Sequence, residues 1–315
     1  MKNIVVYCAT WNVAGRSSLG IVTDWLAPGP IEPLPDIYAI GFQEVNYLEN
    51  ASEWEENAKA ALNTLFPHTY RRKESLQMQG IVLVIFARKC LFHQITDLDA
   101  SFVATGVLNM KNKGAVAIRF NLYETSLCFV SCHLAHGKTS YERRNQDFHE
   151  ICYKMSFKQK LLIEDHERIF WFGDLNYRVH TILTQEILKA LLDADRGGEL
   201  FASDQLNEQK REGKAFVGYN EGEITFDPTY KYDIGTSRYD TGNHRRPPAW
   251  TDRILWKGDS INQICYQSHP NLKISDHKPV SAIFHIGAES TNEQKKHKIL
   301  NDLFDNFNDL DYRFK

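Results

Sequence analysis

The sequence predicts an α+β domain of packed β-sheets flanked by helices. Three observations carry that reading. Short apolar, β-branched runs of strand length recur along the chain; stretches with helical spacing stand between them; and no Gly-, Ser- or Pro-rich linker, internal repeat or low-complexity segment divides the 315 residues.

The strand-like runs begin with Ile4 to Tyr7 and Ile37 to Ile40. A helix is expected from Ser52 to Phe66, with Ser52 as N-cap and Glu55 three residues on, the spacing of a capping box. Ile81 to Phe86, Val116 to Ile118 and Leu127 to Val130 continue the strands, followed by a helix over Tyr141 to Phe157 and a strand over Ile169 to Phe172. Further helices are expected over Thr184 to Leu192 and from Ser203 through Arg211. Strands then recur at Ile254 to Trp256, Ile261 to Tyr266 and Val280 to Phe284. The division expected is a catalytic domain over 1–288 and a helical tail over 289–315, where Ile299, Leu300, Leu303, Phe304 and Phe307 form an apolar stripe suited to docking on the domain or on a protein partner.

Hydrophobic residues make up 43% of the chain and charged residues 24%, enough apolar material for a sizeable core. A formal net charge of −3 excludes a blanket polyanion binder, so any hold on a polyanion must come from a local cluster of cations, and no nucleic-acid partner is expected. The six cysteines are scattered without a CxxC pair and read as reduced core residues. Neither a signal peptide, a membrane span nor a lipidation motif is read, and the expectation is a cytoplasmic protein, peripheral at membranes.

Polar residues recur where strands end. Asn12 follows one in TWNVAG, Glu44 in GFQEV, His133 in VSCHLAHG, and Asp174 and Asn176 in FWFGDLNYR; Asp252 opens one in PPAWTDRILW, and Asp276 and His277 precede one in ISDHKPV. One such residue is usually a cap or turn residue, but six such strand ends imply convergence on a single site. Hard oxygen donors (Glu44, Asn12, Asp276) suit Mg²⁺ better than zinc, and no Ser or Cys stands in a nucleophile motif. A metal, a carboxylate and histidines without a protein nucleophile point to metal-assisted attack of water on a phosphate ester.

FWFGDLNYR and PPAWTDRILW resemble the two signature motifs of the inositol polyphosphate 5-phosphatases, and TWNVAG, GFQEV, NKGAVAIRF, HLAHG and SDHKPV match that family's pattern in the same order. The resemblance runs from about Tyr7 to Ile286. It implies a DNase I-like four-layer sandwich, two mainly antiparallel sheets flanked by helices, and a Mg²⁺-dependent phosphatase removing the 5-phosphate of phosphoinositides or soluble inositol phosphates. Carried onto this chain, Glu44 is the main Mg²⁺ ligand with Asn12 beside it. Asp174 orients and deprotonates the attacking water, which Asn176 helps to hold. His277, fixed by Asp252, and His133 meet the scissile phosphate, and Arg144 and Asn145 brace the substrate site. Lys113 reaches phosphate from the NKG turn, while Tyr230, Lys231, His244 and Arg246 inherit the family's grip on the 4-phosphate. His244 stands where relatives commonly carry Lys, and His136 where they carry a small residue.

Val107, Leu108 and Met110 form an apolar loop before NKG suited to transient contact with a membrane surface. Two other readings compete. A nuclease or sphingomyelinase of the same fold would, for DNA, need a broad basic track, which the net acidity opposes. A catalytically weak phosphoinositide-binding scaffold would be expected to lack a metal ligand or water activator, yet Glu44, Asp174, Asn176 and His277 are all present.

Overall fold

The structure, a computed structural model, describes residues 1–18, 20, 22–29, 32–46, 53–106, 108, 110–180, 190 and 197–289. Ser52, Val107, the helix expected over 184–192 and the tail over 290–315 lie outside the described residues.

Among the described residues, twelve strands form two six-stranded sheets. In the first sheet the order is β11 (Ile261–Ser268), β12 (Val280–Ala288), β1 (Lys2–Asn12), β2 (Ile37–Gln43), β4 (Ile81–Arg88) and β3 (Tyr70–Met78). In the second it is β5 (Ile95–Ala104), β6 (Gly114–Leu122), β7 (Thr125–His133), β8 (Arg168–Asp174), β10 (Asp252–Lys257) and β9 (Asn220–Glu221).

Each sheet holds one parallel pair at its centre, β1 with β2 and β7 with β8, and every other pairing is antiparallel. A parallel pair brings two C-terminal ends to the same edge. Asn12 therefore stands beside Gln43, and His133 beside Asp174. The antiparallel neighbours bring their starting ends to that edge, so Asp252 lies opposite Asp174 and Val280 opposite Thr10.

Alternation along the strands sorts the apolar residues into three layers. Ile4, Val6, Ile85, Phe120, Phe129, Phe170 and Phe284 are buried between the sheets. On the outer face of the first sheet, Trp11, Trp25 and Phe42 pack with Trp54, Ala58 and Leu62 of α1 (Glu53–Leu65), whose opening turn carries Glu53, Glu55 and Glu56 at the positive end of the helix dipole. On the outer face of the second, Trp171 meets Phe148 and Ile151 of α2 (Tyr141–Lys154), with Phe216 and Tyr219. Each large apolar side chain removed from water contributes about 1.5–3 kcal/mol, against about 0–1 for a surface ion pair. The three apolar layers, not the ion pairs, hold the sandwich together.

Three strands, β3, β5 and the two-residue β9, departed from the sequence expectations. β3 and β5 are edge strands, and their polar, half-exposed sequences (YRRKESLQM and ITDLDASFVA) hide the apolar pattern of a strand. The expected helix after Ser203 begins at Gln205, because Asp204 caps it by accepting a 3.0 Å bond from the Asn207 backbone N–H. We label it α4 (Gln205–Arg211); α3 is Gly197–Phe201. All six cysteines are free.

Candidate active site

The sheets approach closely beneath the edge where the parallel pairs end. At Gly41 a β-carbon would fall 2.5 Å from Ser131 Oγ and 2.9 Å from the Phe172 ring, so only glycine lets the sheets meet there. Polar bonds then cross the gap: Gln43 Nε2 donates to Ser131 Oγ at 3.3 Å, and Asn12 Nδ2 to Asp174 Oδ2 at 3.0 Å. Just beyond the strands, Glu44 (φ 55°) and Asn176 (φ 59°), one from each sheet, adopt left-handed backbone conformations. Such conformations cost energy outside glycine and cluster at functional sites.

The edge opens into a cavity of about 640 Å³ lined by Glu44, Lys113, His133, Asp174, Asn176, Tyr230, Lys231, His244, Arg246, Asp276 and His277, and by His136, Lys138 and Arg178. Five lysines and arginines face three carboxylates here, so an acidic chain has built a cationic pocket. Asp174 is buried at its floor. Its Oδ1 accepts from the Asn176 backbone N–H at 3.0 Å, and its Oδ2 lies 3.2 Å from His133 Nε2 and 4.0 Å from His277 Nε2. Burial alone would raise its carboxyl, but the bond to His133 and the charges of His277 and Lys113 hold it well below the usual carboxylate range.

His277 Nδ1 bonds Asp252 Oδ2 at 2.9 Å, and Thr229 and Thr251 hydroxyls donate to the same oxygen at 2.6 and 2.9 Å. Burial pushes the imidazole down, yet Asp252, then Asp174 and Asp276, outweigh it and hold its pKa at about 10. The ring is an imidazolium at neutral pH. Lys113 Nζ contacts His133 Nε2; burial pushes both groups down, aided at His133 by the charge of Lys113 and at Lys113 by that of Arg178, and the imidazole, the weaker base, is the one left neutral.

Tyr230 is anchored between two strands' approaches, bridging Ala249 and His277, with its ring 4.5 Å from the His277 ring and 4.2 Å from the Arg178 guanidinium. Its hydroxyl accepts from Arg246 Nη1 at 2.6 Å. Asp276 lines the cavity and pairs with Lys231 Nζ at 3.3 Å. Arg144 and Asn145 do not line the cavity: both are buried, Arg144 on the carbonyls of Ala135 and Gly137 and Asn145 on Gln209 and Tyr177. Arg144 braces the loop after β7, while Asn145 ties α2 to α4 and to Tyr177. His136, Lys138 and Arg178 line the cavity without having been assigned to it; only the basic character of their segments hinted at it. Leu108 and Met110 are 95% and 53% exposed, on the loop leading to Lys113.

Two places could hold a cation. Ligand atoms of Asp174, Asp252 and His277 lie within 4.8 Å of one another. In that trio, however, His277 Nδ1 is hydrogen-bonded to Asp252 and its Nε2 stands 4.0 Å from Asp174, so an ion there would have to displace an imidazolium proton. Glu44 fits better: its side chain is 48% exposed into the cavity, 3.7 Å from His133 Nε2, and offers hard oxygen, while Asn12, buried beneath the edge, offers an amide oxygen that also accepts from the Ala14 backbone N–H at 3.0 Å. Sulfur is not on offer, since Cys132 is buried against the Trp171 indole N–H.

A sheet-edge site with hard oxygen donors, a buried carboxylate, an imidazolium and surplus cations defines a phosphoesterase-type pocket. The sequence matches Endonuclease/Exonuclease/phosphatase family 2 over residues 9–283, and the chain belongs to that family. It is 40% identical to the Mus musculus type II inositol 1,4,5-trisphosphate 5-phosphatase over 96% of this chain and 32% of that protein. It is 38% identical to the Schizosaccharomyces pombe inositol-1,4,5-trisphosphate 5-phosphatase 1 over 96% and 29%. The chain thus spans about a third of the length of these relatives. The inositol polyphosphate 5-phosphatase domain of SPsynaptojanin, solved with inositol (1,4)-bisphosphate and calcium, superposes with a TM-score of 0.86 at 37% identity, covering 98% of this chain and 91% of that one. The DNase I-like α+β sandwich is therefore its fold. Cimex nitrophorin, solved as a ferrous NO complex, shares the fold at a TM-score of 0.74 and 23% identity over 90% of this chain and 98% of that one, so the fold alone does not fix the chemistry.

Proposed function

We propose that this chain is a Mg²⁺-dependent phosphatase that hydrolyses the 5-phosphate of phosphoinositides and soluble inositol polyphosphates. The observation that carries the reading is the meeting of Asp174, His133 and the Asp252–His277 pair at the floor of a cationic cavity large enough for a phosphorylated ring. The relatives' names and the inositol bisphosphate in the SPsynaptojanin domain support the substrate class.

Glu44 and Asn12 would hold the metal, which when bound supplies Lewis-acid stabilisation of phosphoryl charge. The chain's own groups do the rest. Asp174, fixed by Asn12, Asn176 and His133, accepts a hydrogen bond from the attacking water and aims it. Its low basicity suits it to orienting the water and taking the proton as the bond forms, not to storing a proton beforehand. The His277 imidazolium donates to a phosphoryl oxygen, and Asp252 keeps it charged. Asn176 and Lys113 add donors at the same centre. Tyr230, Lys231, His244 and Arg246 grip the neighbouring 4-phosphate, Arg246 by a forked contact and Lys231 as a compact charge.

For lipid substrates, Leu108 and Met110 dip into the interface, a transient contact of an otherwise cytoplasmic protein. Among the described residues no helix is long and apolar enough to cross a membrane. The tail over 289–315 is proposed as a helical segment with its own protein partner.

Phosphate release measured with and without Mg²⁺ on inositol phosphates, phosphoinositide vesicles and DNA tests the reading. Metal-dependent release from the first two and none from DNA is expected. Cleavage of DNA, or no release from any inositol substrate, would overturn it.

A further inference from the structure

A second cavity, of about 380 Å³, lies at the far end of the second sheet. Ser126, near the start of β7, lines it, whereas His133, at the end of the same strand, lines the candidate active site. Roughly 25 Å of strand therefore separates the two. Five carboxylates face this second cavity, Asp97, Asp99, Glu124, Asp165 and Glu167, against two cations, Arg119 and Lys158. Arg119 is buried and committed to the floor: its Nε donates to His166 Nε2 and its Nη2 to Asn121 Oδ1, both at 3.0 Å. Lys158 is exposed, 4.0 Å from Asp99.

Neutral donors fix the carboxylates without cancelling their charge. Asn121 Nδ2 donates to Asp97 Oδ2 at 3.0 Å, the Ser126 backbone N–H to Glu167 Oε2 at 2.8 Å, and the Leu162 backbone N–H to Asp165 Oδ2 at 2.8 Å. The result is a shaped, anionic cavity suited to flexible ammonium side chains.

The chain supplies such side chains from the cavity's own rim. Past the end of β12, the Glu289 backbone N–H donates to Thr125 Oγ1 at 2.9 Å, and its carbonyl accepts from the Glu124 N–H at 3.0 Å. Glu124 and Ser126, on either side of Thr125, both line the cavity. Six residues beyond Glu289 begins Lys295-Lys296-His297-Lys298, a run of three lysines and a histidine. Six residues reach at most about 20 Å, enough to lay the run across a cavity whose wall starts at Glu124. So short a tether holds it at an effective concentration on the order of millimolar.

We infer that the basic run 295–298 docks in this acidic cavity of its own chain. The docked run fixes where the apolar stripe of Ile299, Leu300, Leu303, Phe304 and Phe307 is presented. That place is the end of the sandwich opposite the candidate active site and the Leu108 and Met110 loop, which joins the ends of β5 and β6 beside His133. A protein held by the stripe would leave the candidate active site open. The docking does not depend on the phosphatase reading.

Trypsin cleavage of the full chain after Lys295, Lys296 and Lys298 tests it, because cleavage follows the population of the undocked state. Neutralising the wall with Glu124→Gln and Glu167→Gln together should speed cleavage at these lysines roughly tenfold, since several ion pairs act at once. Cleavage after Lys111, on the opposite edge, should not change. Raising ionic strength from about 0.1 M to about 1 M shortens screening from about 10 Å to about 3 Å and should erase the difference. A zero-length carbodiimide cross-linker gives the second readout: it should join lysines of the run to the cavity carboxylates within monomers. Equal cleavage of wild type and variant at low salt, faster cleavage after Lys111 as well, or cross-links confined to other surfaces would overturn the docking. Cross-links found only in dimers would assign the cavity to a second copy and overturn it too.

Discussion

Asn12 closes β1 in one sheet, Asp174 closes β8 in the other, and a 3.0 Å hydrogen bond from Asn12 Nδ2 to Asp174 Oδ2 joins them across the inter-sheet gap. The bond makes the site a property of the sandwich and not of either sheet. It forms because each sheet carries a central parallel pair whose ends face the same edge. Shifting one sheet by a residue would break the contact and turn the flanking side chains to the wrong face.

Asp174→Asn keeps the shape of this floor and removes the charge that aims the water. Hydrolysis should slow by a factor on the order of 10² or more, the size of a positioned acid–base contribution. Substrate affinity should hold or improve, because carboxylate–phosphate repulsion is relieved. Single-turnover kinetics with binding on the same variant checks this; lost affinity at an unchanged saturated rate would make Asp174 a binding group.

Glu44→Gln removes the carboxylate charge exposed to the cavity without disturbing a buried contact. Loss of the metal's contribution predicts a fall on the order of 10²–10³ in kcat/KM at low Mg²⁺, partly recovered as the metal is raised. The fold should survive by circular dichroism. Near wild-type turnover at low Mg²⁺ would refute the assignment.

The Asp252–His277 pair sets a pH dependence whose sign is fixed. The folded-state pKa of His277, about 10, lies above its ordinary 6.5. Its contribution to stability is therefore complete below about 6.5 and is lost as pH rises through 10. Wild-type activity should hold its imidazolium-dependent level across neutral pH. Asp252→Asn removes the largest charge opposing burial, so the variant's activity should already decline as pH rises through the neutral range. Profiles of kcat/KM against pH at saturating Mg²⁺ decide it, and superimposable alkaline limbs would show that the charge on His277 is not used.

How much of this was legible depended on where water is. Strands buried on both faces, such as β4 and β8, read directly as apolar runs, while the edge strands β3 and β5 did not, because solvent allows them charges. Strand-end polar residues pointed to one site, and Asn12, Asp174, His133 and His277 do come together. Side-chain partners were not legible. Asp276 pairing with Lys231, and Arg144 turned under the loop, follow from packing between segments far apart in sequence. The same holds for His136, which only the fold delivers to the cavity.

Leu108→Asp combined with Met110→Asp tests the membrane contact. Burying each of these side chains is worth about 1.5–3 kcal/mol, so the pair of charges should weaken vesicle binding by roughly tenfold or more. Turnover of soluble inositol phosphates should not change. Equal losses on both would place the loop in the site, not at the interface.

The central claim is that this floor hydrolyses one particular phosphate of an inositol ring. The direct measurement is the position of the phosphate lost, read by phosphorus NMR of the product from inositol 1,4,5-trisphosphate with wild type and Asp174→Asn at saturating Mg²⁺. A single product, the 1,4-bisphosphate, is expected, formed by wild type and at least about 10²-fold more slowly by the variant. A 4,5- or 1,5-bisphosphate product, or equal rates from the two proteins, would contradict it.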